Sequence, residues 1–167
     1  FGPFIKLVTS ASDLRWMQSV TAGLDAPFFK QVFDRGVRLT NSDAQAPAIA
    51  EYVVASVLTH YQKFTERAQH QANSEWRDTH FREIHGSRWL IVGLGNIGQR
   101  VGKIARGFDA HVTGVKRRQG ENLHADQVIT YSDLAAHLPD ADVVVLACAL
   151  TEQTRHLFDA KMLRLMK

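Results

Sequence analysis

The chain has 167 residues, 45% of them hydrophobic and 22% charged, with 20 Lys and Arg against 17 Asp and Glu for a net charge of +3. That is the composition of a globular protein with a real core. It excludes a membrane-spanning helix, which needs about 18 uninterrupted apolar residues, and a disulfide scaffold, since Cys148 is the single cysteine and fits a reducing, cytoplasmic setting. Apart from Lys116 to Arg118 the basic residues are dispersed, with no aromatic-interleaved stripe, so neither nucleic acid nor a membrane is expected as partner. The eight histidines show no H-E-x-x-H or Cys/His ligand spacing, and no metal site is expected.

In chain order, Arg15 to Val20 reads as a strand, Thr21 to Asp25 as a turn and Pro27 to Phe33 as a short helix ending near Gly36. Val37 to Thr40 reads as a second short strand, so residues 1–43 alternate β and α and imply a parallel sheet. Residues 44–70 read as one long helix, with Pro47 in its first turn and Ile49, Val53, Val57, Tyr61 and Phe64 at three- or four-residue spacing. Ala50, Val54 and Leu58 widen that apolar face, and so wide a face suggests a helix shared with a subunit interface around Val53 and Val57. The segment 66–85 is a polar connecting arm anchored by Trp76 and Phe81.

Trp89 to Val92 is a short apolar strand, followed at once by Gly93-Leu94-Gly95-Asn96-Ile97-Gly98 and a helix-competent run to Arg106. A strand–G-x-G-x-x-G–helix is a dinucleotide-binding signature. Gly93 permits the tight turn, Gly95 lets backbone approach a pyrophosphate, and Gly98 lets helix and sheet pack closely. The pyrophosphate meets the N–H groups of the helix start, at Asn96 and Ile97, and the positive end of its dipole. His111 to Val115 is the next strand, and the residue at its end faces the adenosine ribose. Lys116 stands there, followed by Arg117 and Arg118, with no Asp or Glu between Ala110 and Gly120. Cations complement a 2′-phosphate, so NADP(H) is favoured over NAD(H). Gln127 to Ile129 is a further strand. Ser132 is the expected cap of a helix from Asp133 to Leu138, Val143 to Leu146 is a buried parallel strand, and Asp159 caps a last helix from Ala160 to Met166.

Several blocks together resemble the D-isomer-specific 2-hydroxyacid dehydrogenases, most of all the NADPH-preferring glyoxylate/hydroxypyruvate reductases. They are Leu14 to Asp25, Leu39 to Asn41, Ala48 to Glu51, Val92 to Gly98, Asp140 to Leu146 and Leu150 to Leu157. The resemblance implies an α/β protein. A Rossmann-type doubly wound parallel sheet, here residues 44–167, is joined to part of a flavodoxin-like substrate domain, here residues 1–43, with a cleft between them. It implies hydride exchange between NAD(P)H and a 2-keto or 2-hydroxy acid, in a homodimer. It assigns the backbone at Ala22 and Gly23 to the substrate carboxylate, and Cys148, Ala149, Leu150 and Thr154 to the cofactor's lining. The family usually carries proline where Ala149 stands. Its catalytic Arg, Glu and His lie beyond the block matched by Leu163 to Lys167, so none of the histidines present, His156 included, is assigned to proton transfer. The expectation is a partial view of a longer chain, with first strands before Phe1. Two alternatives stay open: a non-enzymatic dinucleotide sensor, like the corepressors that share this fold, and a vestigial oligomerising protein.

Overall fold

The computed structural model describes residues 2–118 and 120–167. The chain divides into two compact units, one running to Gln45 and including Ala149–Arg155, the other comprising Ala46–Cys148 and His156–Lys167.

In the first unit, helix α1 (Gly2–Ser10) precedes strand β1 (Trp16–Gln18), helix α2 (Pro27–Asp34) and strand β2 (Arg38–Thr40). The two strands are parallel with Met17 opposite Leu39, and Val8, Met17, Phe29, Val32 and Val37 close over them as the core. Pro27 opens α2, where a missing N–H costs nothing. Gly36, at φ 77°, takes the left-handed position just past its end. No element is expected from the sequence before Leu14, and the structure has α1 there. It is amphipathic for little more than one buried residue, Val8. Its C-terminal carbonyls are satisfied by a distant side chain: Arg35 donates to Val8 O at 3.2 Å, to Thr9 O at 3.0 Å and to Ala11 O.

The second unit is a four-stranded parallel sheet in the order β5-β4-β3-β6, where β3 is Arg88–Val92, β4 His111–Lys116, β5 Gln127–Thr130 and β6 Val143–Leu146. The chain winds outward from β3 to β5, then crosses back to lay β6 on the other side of β3, as in a doubly wound sheet. Side chains alternate between two buried layers. Trp89, Ile91 and Val112 meet Ala50, Val54, Val101 and Ala105 from helices α3 (Ala46–Tyr61) and α5 (Asn96–Gly107). Leu90, Val92, Val115 and Ile129 meet Leu134 and Leu138 around helix α6 (Leu134–His137).

The expected long helix over 44–70 is two helices. At Lys63 the backbone turns left-handed, φ 55°, ending α3 and starting α4 (Phe64–Ala72). The carbonyl freed at Gln62 accepts from Arg67 Nε at 2.8 Å, so the break is held by a side chain. Phe64 therefore leaves the face it was expected to share. Val53 and Val57 pack against the core of their own unit, while Tyr52, at 74% exposure, marks the solvent flank of α3. Ser132 does not cap α6. Its hydroxyl pairs with Thr130 Oγ1, and Asp133 Oδ2 takes the Thr130 N–H instead. Asp159 does cap helix α7 (Ala160–Leu163), accepting from Met162 N at 2.9 Å, but that helix stops short of Met166. Among the described residues no helix is long and apolar enough to cross a membrane.

Two aspartates close the amino edge of this sheet. Asp126 Oδ2 accepts from Val112 N and Asp142 Oδ2 from Arg88 N, both at 2.8 Å, supplying acceptors that no strand provides. Asp142 Oδ1 also meets Arg82 Nη2 at 3.1 Å and Lys167 Nζ at 2.9 Å. Burial works against its charge, yet Arg88, Lys167 and Arg82 together hold the carboxyl below the ordinary carboxylate range.

Candidate dinucleotide site

The carboxyl edge of the sheet carries the opposite feature, a nest of backbone. β3 ends at Val92, whose carbonyl accepts from Ala147 N at 2.8 Å, and Gly93 N donates to Val115 O at 2.9 Å. The turn is thereby tied to the strand on each side, at the point where the winding reverses direction. Gly93 has φ 98°, and a Cβ there would stand 2.6 Å from Cys148 N. A Cβ at Gly98 would overlap Gly93 O and lie 3.2 Å from Ile91 Cγ2. Both glycines are thus demanded by the protein's own atoms. Gly95 is different: its Cβ would have no atom within 4 Å. It is the N-cap of α5, with extended backbone and no side chain to cover the helix start. Asn96 and Ile97 form the first turn beyond it, and Gln99 steadies the loop by donating from Nε2 to Leu94 O at 2.9 Å. First-turn N–H groups of a helix have no acceptor within the helix, and the dipole adds positive potential. A cradle walled at Gly93 and Gly98 and open at Gly95 fits a pyrophosphate group.

Lys116 is the last residue of β4 and is half-buried; Arg117 and Arg118 follow it and are exposed. Among the described residues none of the three is paired with a carboxylate. Cys148 follows β6, half-buried against the Leu90–Val92 layer, and packs there with Tyr131. The structure thus brings Gly93, Gly95, Gly98 and Cys148 together at the turn and sets Lys116 to Arg118 at the end of the adjacent strand.

The other expected residues have local roles that can be read directly. Thr154 Oγ1 donates to Ala149 O at 2.7 Å and accepts from Thr151 N at 2.8 Å. The loop that holds Ala149 and Leu150 is therefore stiffened by a hydroxyl. Ala22 and Gly23 lie in an exposed turn whose carbonyls are both used. Asn41 Nδ2 donates to Ala22 O and Thr21 Oγ1 to Gly23 O, each at 2.8 Å. Among the described residues neither the Ala22 nor the Gly23 N–H has an acceptor, which leaves two donors for an anion. Asn41 was visible in the sequence only as part of a matched block. Its role as the pin of this turn depends on the β1–β2 register, with Gln18 opposite Thr40. Among the described residues no cluster of His, Cys, Asp and Glu is placed to hold a metal ion.

A profile of the D-isomer specific 2-hydroxyacid dehydrogenase NAD binding domain matches residues 54–167. Glyoxylate/hydroxypyruvate reductase A of Arabidopsis thaliana is 26% identical over 97% of this chain and 52% of its own length. D-lactate dehydrogenase of Treponema pallidum is 30% identical over 94% of this chain and 48% of its own. The crystal structure of a D-isomer specific 2-hydroxyacid dehydrogenase family protein from Aeromonas salmonicida superposes with a TM-score of 0.84. It is 31% identical, covering 97% of this chain and 52% of that one. The chain thus spans about half the length of the relatives it matches.

Proposed function

The chain belongs to the D-isomer specific 2-hydroxyacid dehydrogenase family, and we propose that the protein it forms is an NADPH-dependent reductase of a small 2-keto acid such as glyoxylate or hydroxypyruvate. The observation that carries this reading is the cradle, closed at Gly93 and Gly98 and open at Gly95, with Lys116 to Arg118 at the end of the next strand and, among the described residues, paired with no carboxylate. When bound, the cofactor supplies the hydride that reduces the carbonyl carbon.

The residues of this chain bind and orient. The start of α5, at Asn96 and Ile97, holds the pyrophosphate. Lys116 and Arg117 neutralise the 2′-phosphate, with Arg118 adding to the local field. The N–H groups of Ala22 and Gly23 hold the substrate carboxylate, and Asn41 keeps their turn in shape through Ala22 O. Cys148, Ala149 and Leu150 line the cofactor, while Thr154 acts by holding their loop. The exposed flank of α3 around Tyr52 serves a homodimer, and the one free thiol suits the cytoplasm.

Equilibrium titration of the intact gene product with NADPH and NADH tests the cofactor assignment. At least tenfold tighter binding of NADPH is expected, the effect of one or two charge-assisted contacts. Equal affinities refute the phosphate site. Tight dinucleotide binding with no reduction of glyoxylate or hydroxypyruvate would favour the sensor reading instead.

A further inference from the structure

The basic tail of β4 has a neighbour that local sequence does not reveal. β4 and β5 pair in parallel with Lys116 opposite Thr130. Arg117 and Tyr131 are the first residues beyond those paired strand ends, close enough for the Arg117 charge to act on the Tyr131 phenol. Tyr131 packs on the face covered by α6. Val115 and Ile129, two residues earlier, both belong to the layer covered by α6. Cys148 reaches that face from β6 and packs against the same layer as Tyr131. The Tyr131 ring is half-buried, and among the described residues its hydroxyl makes no hydrogen bond. Burial pushes the phenol's pKa up and Cys148 adds to the rise, while the Arg117 charge offsets part of it. The hydroxyl is thus protonated at neutral pH and available as a donor.

A neutral O–H donor beside an unpaired guanidinium suits a phosphate oxygen, since Arg117 supplies charge and Tyr131 supplies direction. A ribose without a 2′-phosphate offers no anion to that pair. We propose that Tyr131 is a specificity-determining residue of the cofactor site, its hydroxyl donating to the 2′-phosphate that Arg117 neutralises. The proposal rests on the NADPH reading above.

The test is Tyr131→Phe in the intact gene product, with Kd measured for NADPH, NADH, 2′,5′-ADP and 5′-AMP. The expected result is about tenfold weaker NADPH and 2′,5′-ADP, the loss of one hydrogen bond to a charged group, with NADH and 5′-AMP unchanged. Equal weakening of all four would place the ring against adenine and overturn the proposal, as would no change in any. A wild-type protein that does not prefer NADPH overturns the cofactor reading and this proposal together. A wild-type preference that Y131F leaves intact overturns this proposal alone. A measurement on the unmodified fold stands beside the variant: with tyrosine-labelled protein, the Tyr131 resonance shifts on adding 2′,5′-ADP and not 5′-AMP. Equal shifts refute the assignment even if the variant misfolds.

Discussion

Gly98 and Gly95 lie three residues apart in one motif, yet the structure gives them opposite physical roles that alanine can separate. At Gly98 the new methyl would overlap Gly93 O, a backbone atom fixed between two strands, and crowd Ile91 Cγ2 at 3.2 Å. Relief requires α5 to move off the sheet by about an ångström, and overpacking of this kind costs about 1–3 kcal/mol. Alanine recovers up to about 1 kcal/mol of helix propensity. An overlap with a backbone atom falls at the upper end of the overpacking cost, about 2–3 kcal/mol, so the net loss is about 1–2 kcal/mol, or roughly 2–8 °C in melting temperature for a protein of this size. The displaced helix start also loses its alignment with the pyrophosphate. At Gly95 nothing lies within 4 Å of the added methyl, so the melting temperature should move by no more than the small cost of alanine at an N-cap. Dinucleotide affinity should nonetheless fall at least tenfold, because the methyl stands where the phosphate must approach. Thermal melts and NADPH titrations of G98A and G95A read both effects. Wild-type affinity in G95A would refute the open-cradle argument, and an unshifted melt in G98A would refute the close-packing argument.

Replacing Lys116 and Arg117 together by alanine should weaken NADPH binding tenfold or more and NADH binding little; equal losses would remove the phosphate assignment. Asp142→Asn should lower stability at neutral pH by about 1–2 kcal/mol, because the amide oxygen still accepts from Arg88 N but the charge that strengthens this bond and the bridges to Arg82 and Lys167, exposed on the cation side, is lost. Since folding lowers the Asp142 pKa, its contribution is present above the unfolded value near 3.9 and is lost as pH falls through the folded value. The variant's stability should therefore fall less steeply than wild type between about pH 5 and pH 2, as urea melts across that range would register. Tyr52→Asp should yield a folded monomer by light scattering, since Tyr52 is exposed on α3. A charge at Val53 or Val57 should instead unfold the unit whose core they complete; a Y52D dimer would move the interface elsewhere.

The sequence by itself determined what depends on neighbours along the chain. Apolar Trp89 to Val92, the glycines of 93–98 and the helix after them declare a strand, a turn and a helix start, because φ > 0 and missing Cβ atoms are local requirements. The run Lys116 to Arg118 is likewise contiguous, and so was the Asp159 cap. Only the tertiary structure decided the rest. The break at Lys63 leaves the apolar periodicity of α3 unbroken and is held by Arg67 reaching back to Gln62 O. Helix α1 ends on Arg35, far along the chain. Asn41 on Ala22 and Asp142 on Arg88 satisfy backbone groups that no local pattern announces as orphaned. Arg117 and Tyr131 come to neighbouring strand ends because two parallel strands share a register with Lys116 opposite Thr130. Register is set by which faces are buried across the whole sheet, a property of no single segment.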